Sequence, residues 1–242
     1  MNGAARIKIC GITSANDARL AIAYGAQFIG LIFAESSPRR LTLEQARAIV
    51  TAIDTARGGR QIKIVGVFQD QPIEFLNTAA EQFRLDLVQL HGSENHQYIA
   101  GLSAPVIKAF QFVPEAGILA GDLIVQDLRE FENAQYFLID SRKGSGITLA
   151  SHCAALKSAL GAAHYRSVPL FIAGGMRADV IAKVVGELNP FAIDVASGVE
   201  SEIGKKSEAL IAEFCRTVGG AARETGEAFS NGEPGNAEGV AI

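Results

Sequence analysis

Tryptophan is missing from this chain and only 7% of its 242 residues are aromatic, so its packing must rest on Ile, Val, Leu and Ala. Cysteine is scarce as well. Cys10, Cys153 and Cys215 make an odd number with no CxxC or CxxH spacing, which argues against a disulfide framework or a zinc site and predicts a reducing, cytoplasmic setting. No apolar run of 18 residues occurs, and no basic segment leading into an apolar one opens the chain, so neither a membrane span nor a secretory signal is expected. An excess of positive charge is also absent: 22 Lys and Arg stand against 26 Asp and Glu, a formal net charge of −4. That balance argues against nucleic acid or an anionic membrane as partner. A small anionic ligand stays open, because a few cations gathered in one pocket suffice for it.

What is present describes an ordinary globular protein, 48% hydrophobic and 20% charged. Short β-branched runs alternate with helix-period segments along residues 6–218. Strands are expected at 6–10, 27–33, 62–68, 87–91, 106–112, 136–140, 168–173 and 191–195. Ser14 stands as cap of the first helix, Thr42 with Gln45 forms a capping box for the second, and Ser93 is placed to cap the fourth. Residues 114–131 are ambiguous, with Leu123-Ile124-Val125 as a possible strand fragment and two glycines weakening a helix. Eight βα units in series predict a single-domain α/β fold, the (β/α)₈ barrel, with an open doubly wound sheet as the alternative. Residues 219–242, rich in Gly, Ala, Glu and Asn without periodicity, are expected to form a disordered tail.

Placing the strands lines up polar residues at one rim: Cys10, Arg39, Gln89, His91, Lys108, Asp140, Gly174, Gly175, Asp194, Ser197 and Gly198 all fall at or just past strand carboxyl ends. Catalytic groups collect at that rim in barrel enzymes. Cys10 closes the first strand, where it is either a buried structural thiol or a base. Cys10 and Asp140 form a candidate acid–base pair, the thiol needing a pKa lowered by Lys8 or loop amides and the carboxyl one raised by desolvation. Arg39 suits a carboxylate, since its planar fork matches two oxygens, whereas Arg40 is expected to point elsewhere. Gly174-Gly175 and Ser197-Gly198, after adjacent late strands, let the backbone approach an anion and predict a phosphate site. His91 and Lys108 fit packing and loop bonding as well as ligand contact, and Glu200 fits an anchor for the closing loop.

The motifs Lys8-Ile9-Cys10-Gly11-Ile12-Thr13, Ser37-Pro38-Arg39, Val65-Gly66-Val67-Phe68, Val88-Gln89-Leu90-His91-Gly92, Leu138-Ile139-Asp140, Ala173-Gly174-Gly175 and Asp194-Val195-Ala196-Ser197-Gly198-Val199-Glu200 occur in the order seen in the phosphoribosylanthranilate isomerase family, which the chain resembles over residues 6 to about 218. The resemblance implies an Amadori rearrangement of N-(5-phosphoribosyl)anthranilate in tryptophan biosynthesis, without metal or redox cofactor. It implies Asp140 as the acid that opens the furanose, Cys10 as the base at C2, and Arg39 on the anthranilate carboxylate. His91, Asp194 and the glycine turns would complete the substrate site. The family's G-x-G-K-x-F-D-W type segment after the acid is here Gly144-Ser145-Gly146-Ile147-Thr148-Leu149-Ala150-Ser151, and Ala196 replaces a common serine. That departure carries a second reading, a divergent paralogue isomerising or binding another phosphorylated aminosugar. A third, a non-catalytic phosphometabolite-binding barrel, is disfavoured because Cys10 and Asp140 are both present. The oligomeric state, monomer or homodimer, is not set by the sequence.

Overall fold

Alternating strand and helix signals become a closed ring in the computed structural model, which describes residues 5–113, 118–120, 128–141, 152–163, 165 and 168–224. The barrel strands are β1 (Arg6–Cys10), β2 (Phe28–Ile32), β3 (Lys63–Phe68), β4 (Leu87–Leu90), β5 (Val106–Val113), β6 (Tyr136–Ser141), β7 (Leu170–Ile172) and β8 (Ala192–Val195). Each pairs in parallel with its neighbours in chain order, and β1 pairs with β8 to close the barrel. The expected (β/α)₈ fold is therefore the observed one.

The helices are α1 (Ala15–Ala23), α2 (Leu43–Ala56), α3 (Ile73–Phe83), α4 (His96–Ala100), α5 (Cys153–Ala162), α6 (Ala178–Leu188) and α7 (Glu208–Glu224). Ser14 caps α1 by accepting from the Asp17 amide, and Thr42 and Gln45 exchange both capping-box bonds on α2. Ser93 does not cap α4. Asn95 does, because the Ser93 hydroxyl and amide both donate to Asp70 Oδ1. In the stretch after β5 that the sequence leaves ambiguous, a short strand (Ile118–Ala120) pairs antiparallel with β5 and a 3₁₀ turn (Leu128–Phe131) follows. The Leu123-Ile124-Val125 segment lies outside the described residues. The last helix runs six residues past 218, to Glu224, and 225–242 of the expected tail lie outside the described residues.

Two layers of core follow from strand alternation. Outward side chains pack with the helices in the larger core. Inward ones form a second cluster whose floor is aromatic: Phe28, Tyr136, Phe171 and Phe191 meet with centroids 5.1–6.1 Å apart. The Arg6 guanidinium lies 4.3 Å over the Phe191 ring. These rings lie at the amino-terminal ends of the strands, so four of the aromatics plug one end of the barrel, while others pack outside it with the helices. The other end is left to polar side chains.

Candidate active site

Residues two along from an inner-core residue also face inward. Leu138 is inside, so Asp140 is; Leu87 is inside, so Gln89 is; Ala192 is inside, so Asp194 is. Lys8 stands in register with both Phe28 and Asp194, which puts Lys8 and Cys10 inside as well. The carboxyl-end tier of the barrel thus carries Cys10, Gln89, Asp140 and Asp194.

Cys10 is buried, and β2 makes room for it with Gly30, its register partner. A Cβ there would stand 2.6 Å from Cys10 Sγ. Lys8 is wholly buried, with Nζ 3.0 Å from Asp194 Oδ2, and its charge acts on the Cys10 thiol two residues along the strand. Burial pushes the thiol above its ordinary range. Lys8 and Lys206 pull it down, and Asp194 adds to the upward push. Lys8 thus acts in the expected direction, but the net shift in the free site is upward, not the lowering that was expected. The lysine's charge is already balanced by Asp194, and desolvation prevails. Burial also opposes the charged form of Lys8, but Asp194 and Cys10 outweigh it and raise its pKa, so it stays an ammonium. Asp194 Oδ1 is buried and, among the described residues, has no hydrogen-bond partner.

Arg39 lies in the loop between β2 and α2, with its stem across Gly11, the residue after Cys10. A Cβ at Gly11 would meet Arg39 Cδ at 2.5 Å, and the φ of +68° there favours glycine independently. The guanidinium is gripped side-on by Glu200, Nε to Oε1 at 2.7 Å and Nη2 to Oε2 at 2.5 Å. Lys206 braces the same carboxylate at 2.9 Å and reaches the Ala196 carbonyl at 2.9 Å. Both come from the hairpin Glu200–Glu202 with Lys205–Lys206 that follows β8. Thr13 Oγ1 donates to the Gly204 carbonyl and the Lys206 amide to Asp17, which ties the hairpin to the loop after β1. Arg40 instead pairs with Glu35 at the surface.

Across the mouth, His91 Nε2 is 3.6 Å from Asp140 Oδ2, and Gln89 Nε2 is 3.2 Å from His91 Nδ1. An amide nitrogen only donates, so with Gln89 oriented this way Nδ1 holds the lone pair and Nε2–H faces Asp140. Lys108 is not part of this group. Its register partners Leu90 and Phe137 belong to the outer core, and its ammonium donates to the Gly92 carbonyl at 2.7 Å and Glu94 at 2.8 Å. It is a loop-bonding residue. Gly174 and Gly175 both have positive φ, 86° and 65°. The loop after β8 closes on theirs so tightly that a Cβ at Gly198 would stand 2.0 Å from the Met176 carbonyl oxygen. Ser197–Val199 form a 3₁₀ turn there. The altered segment 144–151 lies outside the described residues.

The family model for N-(5'-phosphoribosyl)anthranilate isomerase matches residues 7–217. The chain belongs to that family. It is an isomerase, 36% identical over 220 residues to the N-(5'-phosphoribosyl)anthranilate isomerase of Geobacter sulfurreducens, covering 89% of this chain and 98% of the relative. The crystal structure of phosphoribosyl anthranilate isomerase from Thermus thermophilus superposes with a TM-score of 0.71 at 33% identity, over 89% of this chain and 98% of that one. A further phosphoribosyl anthranilate isomerase structure, in complex with reduced 1-(o-carboxyphenylamino)-1-deoxyribulose 5-phosphate, superposes with a TM-score of 0.65 at 28% identity, over 89% of this chain and 99% of that one.

Within this isomerase fold, Lys206 escaped the sequence reading. It sits in the polar run Glu200-Ser201-Glu202-Ile203-Gly204-Lys205-Lys206, which reads as a solvated turn, yet its side chain is wholly buried. Glu94, buried against Lys108, was missed for the same reason. Among the described residues no helix is long and apolar enough to cross a membrane, and no group of three or more His, Cys, Asp or Glu is placed to hold a metal ion.

Proposed function

We propose that this isomerase converts N-(5'-phosphoribosyl)anthranilate to 1-(2-carboxyphenylamino)-1-deoxyribulose 5-phosphate, with Asp140 as general acid and Cys10 as general base. The observation that carries the reading is the inward placement of both residues at the carboxyl ends of β1 and β6, in a chain of this family. Asp140 gives its proton to the furanose ring oxygen as the C1–O bond breaks, and the anthranilate nitrogen supplies electrons to form an iminium. Cys10, as thiolate, takes the C2 proton, and the C–H electrons move into the iminium to give an enolamine. A proton gained at C1 and one lost from the C2 hydroxyl then yield the ketone and balance the earlier exchanges.

Burial disfavours the thiolate in the free site. The positive iminium formed by ring opening favours it, as any adjacent cation does, so the base is strengthened at the step that needs it. His91, with Nε2 3.6 Å from Asp140 Oδ2, stabilises the carboxylate left after proton donation. Arg39 takes the anthranilate carboxylate. The positive-φ glycines after β7 and the Ser197-Gly198 turn after β8 take the phosphate, the two loops being held together at Gly198 and Met176. Asp194 fixes Lys8 and keeps one buried oxygen for a substrate hydroxyl.

The test is an assay on freshly prepared phosphoribosylanthranilate, following loss of its anthranilate fluorescence. Enzyme-dependent decay that saturates with substrate supports the assignment, and its absence with correctly folded protein overturns it.

A further inference from the structure

We propose that Glu200, braced by Lys206, is a positioning residue that makes the free edge of the Arg39 guanidinium the selector for a carboxylated aromatic amine. The inference rests on the isomerase reading above and concerns how its carboxylate site is built.

A guanidinium has five N–H donors in a plane. Glu200 occupies one side with Nε–H and one Nη2–H, and the two bonds fix both position and rotation. Three donors remain, on Nη1 and the outer Nη2, and among the described residues none of them has a partner. That remaining edge is itself a two-pronged carboxylate site. Glu200 is therefore a support for Arg39, acting on the edge the ligand does not need.

The support is built into the interior. The Glu200 side chain is 4% exposed and that of Lys206 is 0% exposed. Lys206 is anchored in turn on the Ala196 carbonyl of the β8 loop. Two basic side chains, Arg39 and Lys206, share the single carboxylate of Glu200, so an incoming carboxylate meets no surplus of negative charge in this cluster. Lys8, by contrast, is already balanced by Asp194. The stem of Arg39 crosses Gly11 beside Cys10, so a carboxylate on the free edge belongs to a substrate whose reacting carbon lies near the thiol. Without Glu200, Arg39 would recover its rotamers, and binding would have to re-order it.

The experiment compares two product analogues by calorimetric titration: reduced 1-(o-carboxyphenylamino)-1-deoxyribulose 5-phosphate, and the same molecule without its carboxyl group. In the parent the carboxylated analogue is expected to bind at least about tenfold tighter, a gap of about one bidentate charged pair. Glu200→Gln should weaken the carboxylated analogue at least about tenfold while shifting the other less than about twofold, and Lys206→Met should do the same to a smaller degree. Circular dichroism and thermal melts establish that both variants are folded. Equal weakening of the two analogues overturns the positioning role, as does no weakening. Tighter binding of the carboxylated analogue by Glu200→Gln would show that Glu200 competes for the ligand's edge, and overturns it too. If the parent itself does not discriminate between the analogues, what fails is the assignment of Arg39 to the substrate carboxylate, a different outcome from a parent that discriminates while Glu200→Gln leaves that discrimination intact.

Discussion

Lys8 and Asp194 face each other in register on β1 and β8, buried inside the barrel and 3.0 Å apart. Breaking such a pair leaves an uncompensated buried charge, at a cost of about 3–5 kcal/mol, whereas replacing both partners by apolar groups can be nearly neutral. Lys8→Met is thus expected to lower stability by that amount, and Lys8→Met with Asp194→Leu to recover most of it. Urea midpoints for the three proteins check this. A single variant as stable as the parent would show that the pair is open to water.

The same lysine governs the base. Burial raises the Cys10 thiol and Lys8 opposes it, so the parent's kcat/KM should climb with pH toward the alkaline side. Removing Lys8 takes away a stabiliser of the thiolate, and the climbing limb must move to higher pH. A pH profile of Lys8→Met, which keeps Asp194 and its upward push on the thiol, set against the parent under conditions where the variant is folded, reads this directly. A limb that stays in place would remove Lys8 from the activation of Cys10.

Cys10→Ser should fold normally and bind the product analogue, because the site already holds a small polar atom opposite Gly30. Its turnover should fall by at least about 10²-fold, the scale of a lost general base. Near-normal turnover would assign Cys10 to packing alone.

Asp140→Asn keeps the shape beside His91 and removes the proton donor. Isomerisation should become unmeasurable while the product analogue still binds. If more than about a tenth of the parent rate survives, a loss too small for a required general acid, another donor opens the ring.

Gly198→Ala places a Cβ 2.0 Å from the Met176 carbonyl, so the two loops must part. KM should rise and inhibition by inorganic phosphate should weaken, with kcat the less affected. Unchanged phosphate inhibition would move the anion site elsewhere.

Glu200 also links folding to acid. Burial by itself would raise its carboxyl pKa, but Arg39 and Lys206 outweigh burial and hold it below the usual carboxylate range. A pKa depressed in the folded state contributes stability above the unfolded value, and that stability is lost as pH falls through the ordinary range toward the folded one. The stability gap between parent and Glu200→Gln should therefore be widest near about pH 7 and narrow below about pH 4. A gap independent of pH would show that Glu200 does not titrate with folding.

Much of this architecture is local, and the sequence by itself determined it. The β-branched runs, the Ser14 cap of α1 and the Thr42–Gln45 capping box rest on neighbours within a few residues, so periodicity and cap chemistry suffice to place them. Strand order around a closed barrel follows chain order, which is why Cys10 and Asp140 could be put at one rim from their positions alone. Tertiary structure decided what those positions mean. Arg39 and Glu200 lie 161 residues apart, and Lys8 and Asp194 lie 186 apart, so no window of sequence contains either pair. Lys108 ends its barrel pairing one residue out of phase with the inner set, and one step along a strand exchanges lumen for outer layer. The direction of the Cys10 pKa turned on the same kind of fact. Desolvation, Lys8, Asp194 and Lys206 each act on the thiol from a different stretch of chain or from the whole surrounding fold, and their balance exists only once the barrel has closed around them.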